Sequence, residues 1–313
     1  MNILLLVSIS YSVSVDCENV KALGIGLGIH THQTTIWTDL QSDCCIAGGI
    51  DCDVNKRVIR ITWELLELNG SINASAIPPM LTTLDLSSNL ITGSIPSSLP
   101  NSLIYLYAHI NQLSGNIPSV LPSSLIALHL HDNLLNGPIP TKLPSELTGL
   151  YLNNNQLVGS IPSLLPSELK RMHVEYNLLN GDLPRFPDTL FNLYLNDQSS
   201  PTNHFSGVLR LNRPTTIVAA GNYITDVFIQ DFSALTFCDL SNNPLLGNTN
   251  IVNLTMCTMT GLYNASSLPN TAIVTRTSST RNSLSKATQT TSGHDRNRVD
   301  AYWVALLVIF FGL

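Results

Sequence analysis

The sequence predicts an α/β solenoid, a right-handed superhelix of short coils with a parallel sheet on the concave side and irregular or 3₁₀ backbone on the convex side. Three observations predict it. Asn89, Asn111, Asn133, Asn155 and Asn177 recur every 22 residues. Each sits in the same frame of spaced leucines, clearest in Leu81-Thr-Thr-Leu84-Asp-Leu86-Ser-Ser-Asn89-Leu-Ile-Thr-Gly93-Ser-Ile95-Pro96. The cysteines lie only before and after this periodic stretch. A fixed period in this range marks a stack of identical units, whose function is sought on an open repetitive surface.

The frame, Leu-x-x-Leu-x-Leu-x-x-Asn-x-Leu-x-Gly-x-Ile-Pro, reads as leucine-rich repeats. Its Leu-x-Leu alternation makes a short strand with leucines inward and the intervening residues outward. The asparagine turns into the coil, where its amide pairs backbone groups that a bend would otherwise bury unpaired. Glycine permits the turn that follows, and Ile-Pro leads into extended or 3₁₀ backbone, because proline cannot donate a hydrogen bond. Leu99-Pro100, Leu121-Pro122, Leu143-Pro144 and Leu165-Pro166 then close each coil.

Along the chain, residues 1–15 carry an apolar run, Ile3 to Val7, followed by Ser12-Val-Ser14, and read as a secretory signal peptide. Residues 16–57 form a cysteine-rich cap, and Val58 to Ile72 form a first degenerate coil with Ile61 and Trp63 inward. Residues 58–260 hold roughly eight or nine coils, regular from Pro78 to Pro187 and looser afterwards, with an insertion from Gln198 to Thr202. Stacking them at ~4.8 Å per strand gives a solenoid ~40 Å long. Residues 261–300 form a stalk, rich in Ser and Thr over 271–292, that ends in a polar spacer. Residues 301–313 are an apolar tail, shorter than the ~20 residues of a comfortable membrane span. The tail fits a glycosylphosphatidylinositol signal with Ser292 as candidate attachment residue, and a short membrane anchor is the alternative.

Charged residues make up 12% of the chain and the net charge is −6. With no clustered basic face, a nucleic-acid partner is not expected. Cys17, Cys44, Cys45, Cys52, Cys238 and Cys257 fit disulfide-stapled caps in an oxidising compartment, and lack paired zinc-ligand spacing. The sequons at Asn69, Asn73, Asn253 and Asn264 accord with secretion.

The repeats and cap together resemble extracellular leucine-rich-repeat proteins of the plant type. The residues that carry this are Asp16-Cys17, Ala22-Leu23, Trp37, Asp43-Cys44-Cys45, Gly49-Ile50 and Cys52, with the Asn-x-Leu-x-Gly-x-Ile-Pro frame. They are similar to polygalacturonase-inhibiting proteins and receptor-kinase ectodomains. The resemblance covers roughly residues 16 to 260. It implies Cys17–Cys44 and Cys45–Cys52 disulfides and a short helix around Ala22 to His30. Leu-Pro-x-Ser-Leu stands where the family more often has Leu-Gly-x-Leu. The chain shows neither the Gly-rich loop nor the His-Arg-Asp signature of a kinase.

Three outward columns follow from the strand alternation. The middle one reads Asp85, Tyr107, His129, Tyr151, His173 and Tyr194. Beside it run Ser87, His109, His131, Asn153, Glu175 and Asn196, and on the other side Thr83, Tyr105, Ala127, Gly149, Arg171 and Asn192. Tyrosine offers a flat apolar face and a hydroxyl at low entropic cost. Tyr105, Tyr107, His109, His129, His131, Tyr151, Arg171, His173, Glu175 and Tyr194 are therefore the candidate ligand-binding residues. The competing explanation is that aromatic residues are simply good strand formers. His109, His129 and His131 could converge, but solvated histidines or a mild pH response rank above metal. No cofactor and no submicromolar zinc site are expected. With no Gly-x-Ser-x-Gly elbow and an open sheet, the expected activity is non-catalytic binding of a protein, peptide or glycan. Inhibition of a cell-wall hydrolase, or a structural wall or adhesion role, are the alternatives.

Overall fold

The computed structural model describes residues 15–29, 36, 40, 43–197, 204–245 and 257–259. These belong to a compact unit, Met1–Ser267; the second unit, Leu268–Leu313, lies outside the described residues. So do the apolar start, Trp37, the insertion, Asn253, Asn264, the stalk, Ser292 and the tail.

The cap opens with the helix Val15–Gly26, earlier than the expected span from Ala22 to His30. Burial explains the shift. Val20 and Leu23 are fully buried on one face, and Leu27 follows them inward just past the end. Gly26 and the left-handed Gly28 end the helix. The Asp16 carboxylate accepts the Val58 N–H at 2.9 Å, tying the helix to the first coil. Gly70 lies against the Gly26 backbone, so close that any side chain there would collide with the Gly26 carbonyl.

Among the described residues, ten strands form the main sheet. Ile50–Cys52 pairs antiparallel with Val58–Thr62. Val58–Thr62 then leads a parallel series through Thr83–Asp85, Tyr105–Tyr107, Ala127–His129, Gly149–Tyr151, Arg171–His173, Asn192–Tyr194, Thr216–Val218 and Phe237–Asp239. One strand per coil gives nine coils among the described residues. The inward row, Leu84, Leu106, Leu128, Leu150, Met172, Leu193, Ile217 and Cys238, stacks in register and is buried throughout. It forms the spine of a single core that runs from Cys17 to Cys257.

Beyond each asparagine the backbone is more regular than expected. Ser114–Asn116, Leu134–Gly137, Gln156–Gly159 and Leu178–Leu179 form a second parallel sheet. Gly181–Asp182, Phe205–Leu211 and Tyr223–Ile229 form a third. Among the described residues, 3₁₀ turns occur only at Cys44–Ile46 and Ala74–Ala76. The recurring prolines build turns instead: the N–H groups of Leu81, Leu103, Leu125, Leu147, Leu169 and Leu190 donate to the carbonyls of the prolines three residues earlier.

The asparagine ladder supplies the polar side of the core. Asn111 Oδ1 accepts the Ile91 N–H at 2.9 Å, and its Nδ2 donates to the carbonyls of Leu86, Ala108 and His109. Asn133, Asn155 and Asn177 repeat this on Leu113, Leu135 and Leu157. Asn89 reaches back to Leu66 and Leu68 in the degenerate coil. The ladder continues past the regular coils through Asn222 and Asn243, which accept the Phe205 and Ile224 N–H groups. Each orphaned buried group costs about 1–3 kcal/mol, so every rung is strongly held.

Three disulfides close the ends: Cys17–Cys44, Cys45–Cys52 and Cys238–Cys257. The two cap pairings are those the resemblance implies. By loop-closure entropy over its separation of 27 residues the Cys17–Cys44 bridge contributes about 3.5 kcal/mol. Asn69 and Asn73 are exposed at the start of the solenoid, and Asn73 Oδ1 caps the 3₁₀ turn by accepting the Ser75 N–H.

A belt of tyrosine and histidine on the concave sheet

Register places the middle outward column as one line. Asp85, Tyr107, His129, Tyr151, His173 and Tyr194 are direct neighbours on successive strands, and the line continues to Val218 and Asp239. Five consecutive members are rings, and they touch. Centroid separations are 4.8 Å for Tyr107–His129, 4.2 Å for His129–Tyr151, 4.7 Å for Tyr151–His173 and 4.2 Å for His173–Tyr194. The parallel-strand spacing itself sets this interval, because one ring per coil brings rings to stacking distance. Tyr105 extends the belt sideways, stacked 6.1 Å from Tyr107. All these rings are half-buried.

A second line packs beside the first. His109 and His131 stack at 4.3 Å with their planes 16° apart, and each lies about 6 Å from His129. The three histidines bring one nitrogen each within 4.8 Å of one another. Nδ1 of His109 and Nδ1 of His131 are buried with no hydrogen-bond partner among the described residues. His131 Nε2 stands 3.9 Å from Asp132 Oδ2, and Asn154 Nδ2 donates to Asp132 Oδ1 at 2.8 Å.

Burial dominates the electrostatics. It drives His129 down to about 4, helped by repulsion from His109, His131 and His173. His131 is driven to about 4 by burial and then by His109 and His173. His109 is lowered by burial too, against the pull of Asp85, Glu64 and Asp132. The imidazoles at 129 and 131 are therefore neutral at neutral pH. Burial raises the Tyr107 and Tyr151 hydroxyls and the Asp132 carboxyl.

Of the remaining candidates, Arg171 is exposed and lies over the Phe191 ring at 4.9 Å. Glu175 is only 7% exposed, so it is not an open contact surface. Its Oε1 lies 3.5 Å from His173 Nδ1, while its Oε2 has no hydrogen-bond partner among the described residues. Ala127 and Gly149 are buried in the column of Tyr105, on the side of the belt away from His109 and His131. Sequence reasoning missed Asp132 and Phe191, which fall outside the three columns; only their positions beside His131 and before Asn192 could have signalled them. It also missed an open cleft of about 630 Å³ lined by Arg185, Phe186, Arg210 and Phe228, with Arg210 over the Phe228 ring at 5.1 Å.

The leucine-rich-repeat family model matches residues 80–102 and 146–167, within the same coils that carry the ladder and the belt. The described coils form a leucine-rich-repeat solenoid, and the chain is similar to plant extracellular leucine-rich-repeat proteins. It is 42% identical over 74 residues to Receptor-like protein 19 of Arabidopsis thaliana, a match covering 21% of this chain and 7% of that protein. Among solved structures it is similar to PEPR1-AtPEP1, with 25% identity and a TM-score of 0.52 over 74% of this chain and 36% of that one. Pollen Receptor Kinase 3 aligns with 29% identity and a TM-score of 0.45, over 49% of this chain and 81% of that one. This leucine-rich-repeat chain thus spans well under half the length of the curated relative and of PEPR1.

Proposed function

We propose that the protein is a non-catalytic extracellular binding module that takes an extended peptide, free or displayed by a protein, along the belt from Tyr105 to Tyr194. The single observation that carries this is the unbroken line of touching rings at Tyr107, His129, Tyr151, His173 and Tyr194. Four coil steps of ~4.8 Å make a track of ~19 Å, the span of ~6 residues of extended chain. Stacked rings offer apolar contact, while tyrosine hydroxyls and imidazole nitrogens meet peptide N–H and C=O groups. Exposed Arg171 places a cation beside the belt for a ligand carboxylate.

The disulfide-closed ends suit an oxidising compartment, and the apolar tail, read as a lipid-anchor signal, would tether the module to the membrane. The receptor-like name of the relative agrees with such a role.

The test immobilises the chain and captures ligands from an extracellular peptide extract, with identification by mass spectrometry. A triple replacement, Tyr107→Ala, Tyr151→Ala and Tyr194→Ala, is expected to lose the captured species while retaining its circular dichroism. Equal capture by a folded triple variant overturns the reading. Release of the chain from intact cells by a phosphatidylinositol-specific phospholipase checks the tether.

A further inference from the structure

We propose that His109, His129 and His131 form a three-imidazole site for a divalent transition-metal cation of the zinc and copper class, set into the concave sheet. The site stands on its own geometry and does not depend on the peptide reading. Three nitrogens from adjacent coils lie within 4.8 Å of one another. Zinc–nitrogen bonds of ~2.0–2.1 Å in a tetrahedron need nitrogens ~3.4 Å apart, so closure asks for ring movements of ~1 Å.

A second, independent observation points to a missing partner. Nδ1 of His109 and Nδ1 of His131 are buried without a hydrogen-bond partner among the described residues. Buried nitrogens left unpaired are costly, and a cation would supply what the pair lacks. Asp132 occupies the place of an outer carboxylate: it faces His131 Nε2 at 3.9 Å and is itself held by Asn154. A carboxylate behind a metal-bound imidazole fixes the ring and raises its basicity.

Donor chemistry selects the ion. Three imidazoles suit zinc, copper or nickel, whereas magnesium and calcium demand oxygen ligands. Three protein ligands leave at least one position open towards the concave side, as in exchangeable rather than closed structural sites. The other cluster of ligating residues, Cys17, Asp43, Cys44 and Cys45, has its thiols consumed in disulfides.

The test is calorimetric titration of the tag-free full chain with zinc chloride alone, after chelator treatment and dialysis. One saturable site per chain with a Kd below about 10 μM is expected. His129→Ala and, separately, His109→Asn should each weaken it at least tenfold; His109→Asn serves should His129→Ala not fold. His204→Ala, which lies in a later coil against Tyr223, should leave it unchanged. Absence of saturable binding in that range overturns the site. So does undiminished binding by folded His109→Asn, or an equal loss in His204→Ala.

Discussion

The concave sheet runs without a break from Val58–Thr62 to Phe237–Asp239, yet its central column changes character twice along the way. At the N-terminal end it shows Thr62 and Asp85, across the next five coils it shows only rings, and at the far end it shows Val218 and Asp239. Backbone pairing is continuous across all three stretches, so strand formation does not require aromatic residues there. The comparison weakens the explanation that Tyr and His were chosen as good strand formers. What distinguishes the middle coils is their outer surface, and a surface is chosen by what touches it.

The largest effect that probes this contrast belongs to the part both regions share. Asn177→Ala removes the partner of the Leu157 N–H and of three carbonyls, and should cost about 3 kcal/mol in urea denaturation. Asn243→Ala should cost about the same, because the ladder serves belt and non-belt coils alike. Next comes Tyr151→Ala, which sits between the His129 and His173 rings. Its stability loss should stay near 1 kcal/mol, from lost ring packing, while affinity for a captured peptide falls at least tenfold. A comparable fall for Val218→Ala would erase the distinction between the regions.

A smaller effect comes from backbone strain inside the belt. The residue before each asparagine adopts positive φ: Ser88, Ile110, Asp132, Asn154, Tyr176 and Asn242. Ile110, at φ 53°, is the β-branched member and is 42% exposed. Ile110→Asn should therefore raise stability by about 1 kcal/mol, read as a higher thermal midpoint. Smallest of all, Val218→Tyr adds a ring to the end of the line in a position with ordinary strand geometry. Stability should change by less than about 0.5 kcal/mol, and a lengthened track should alter which peptides are captured.

Much of this was legible because a repeat converts sequence spacing into spatial order. Knowing that Tyr107, His129 and Tyr151 stand four residues before successive asparagines is enough to place them side by side. The cap was harder. Glycines at 24, 26 and 28 argue against a helix locally, but burial of Val20, Leu23 and Leu27 overrides that propensity and the helix forms upstream. The burial of Glu175 and the position of Asp132 were also out of reach, since both depend on how side chains settle against a neighbouring coil rather than on spacing along one. The second sheet went unseen because two- to four-residue pairings such as Leu178–Leu179 with Gln156–Gly159 leave no alternation to read.

The asparagine ladder has a direction. Each side chain completes the coil before its own: Ile91 waits for Asn111, Leu113 for Asn133 and Ile224 for Asn243. A coil's polar pairing is therefore complete only when its successor is in place, and removing a coil would orphan groups in the coil before it rather than in itself alone. The Cys238–Cys257 bridge, with Asp239 paired to Thr258, closes the last described coil, which has no successor among the described residues to seal it.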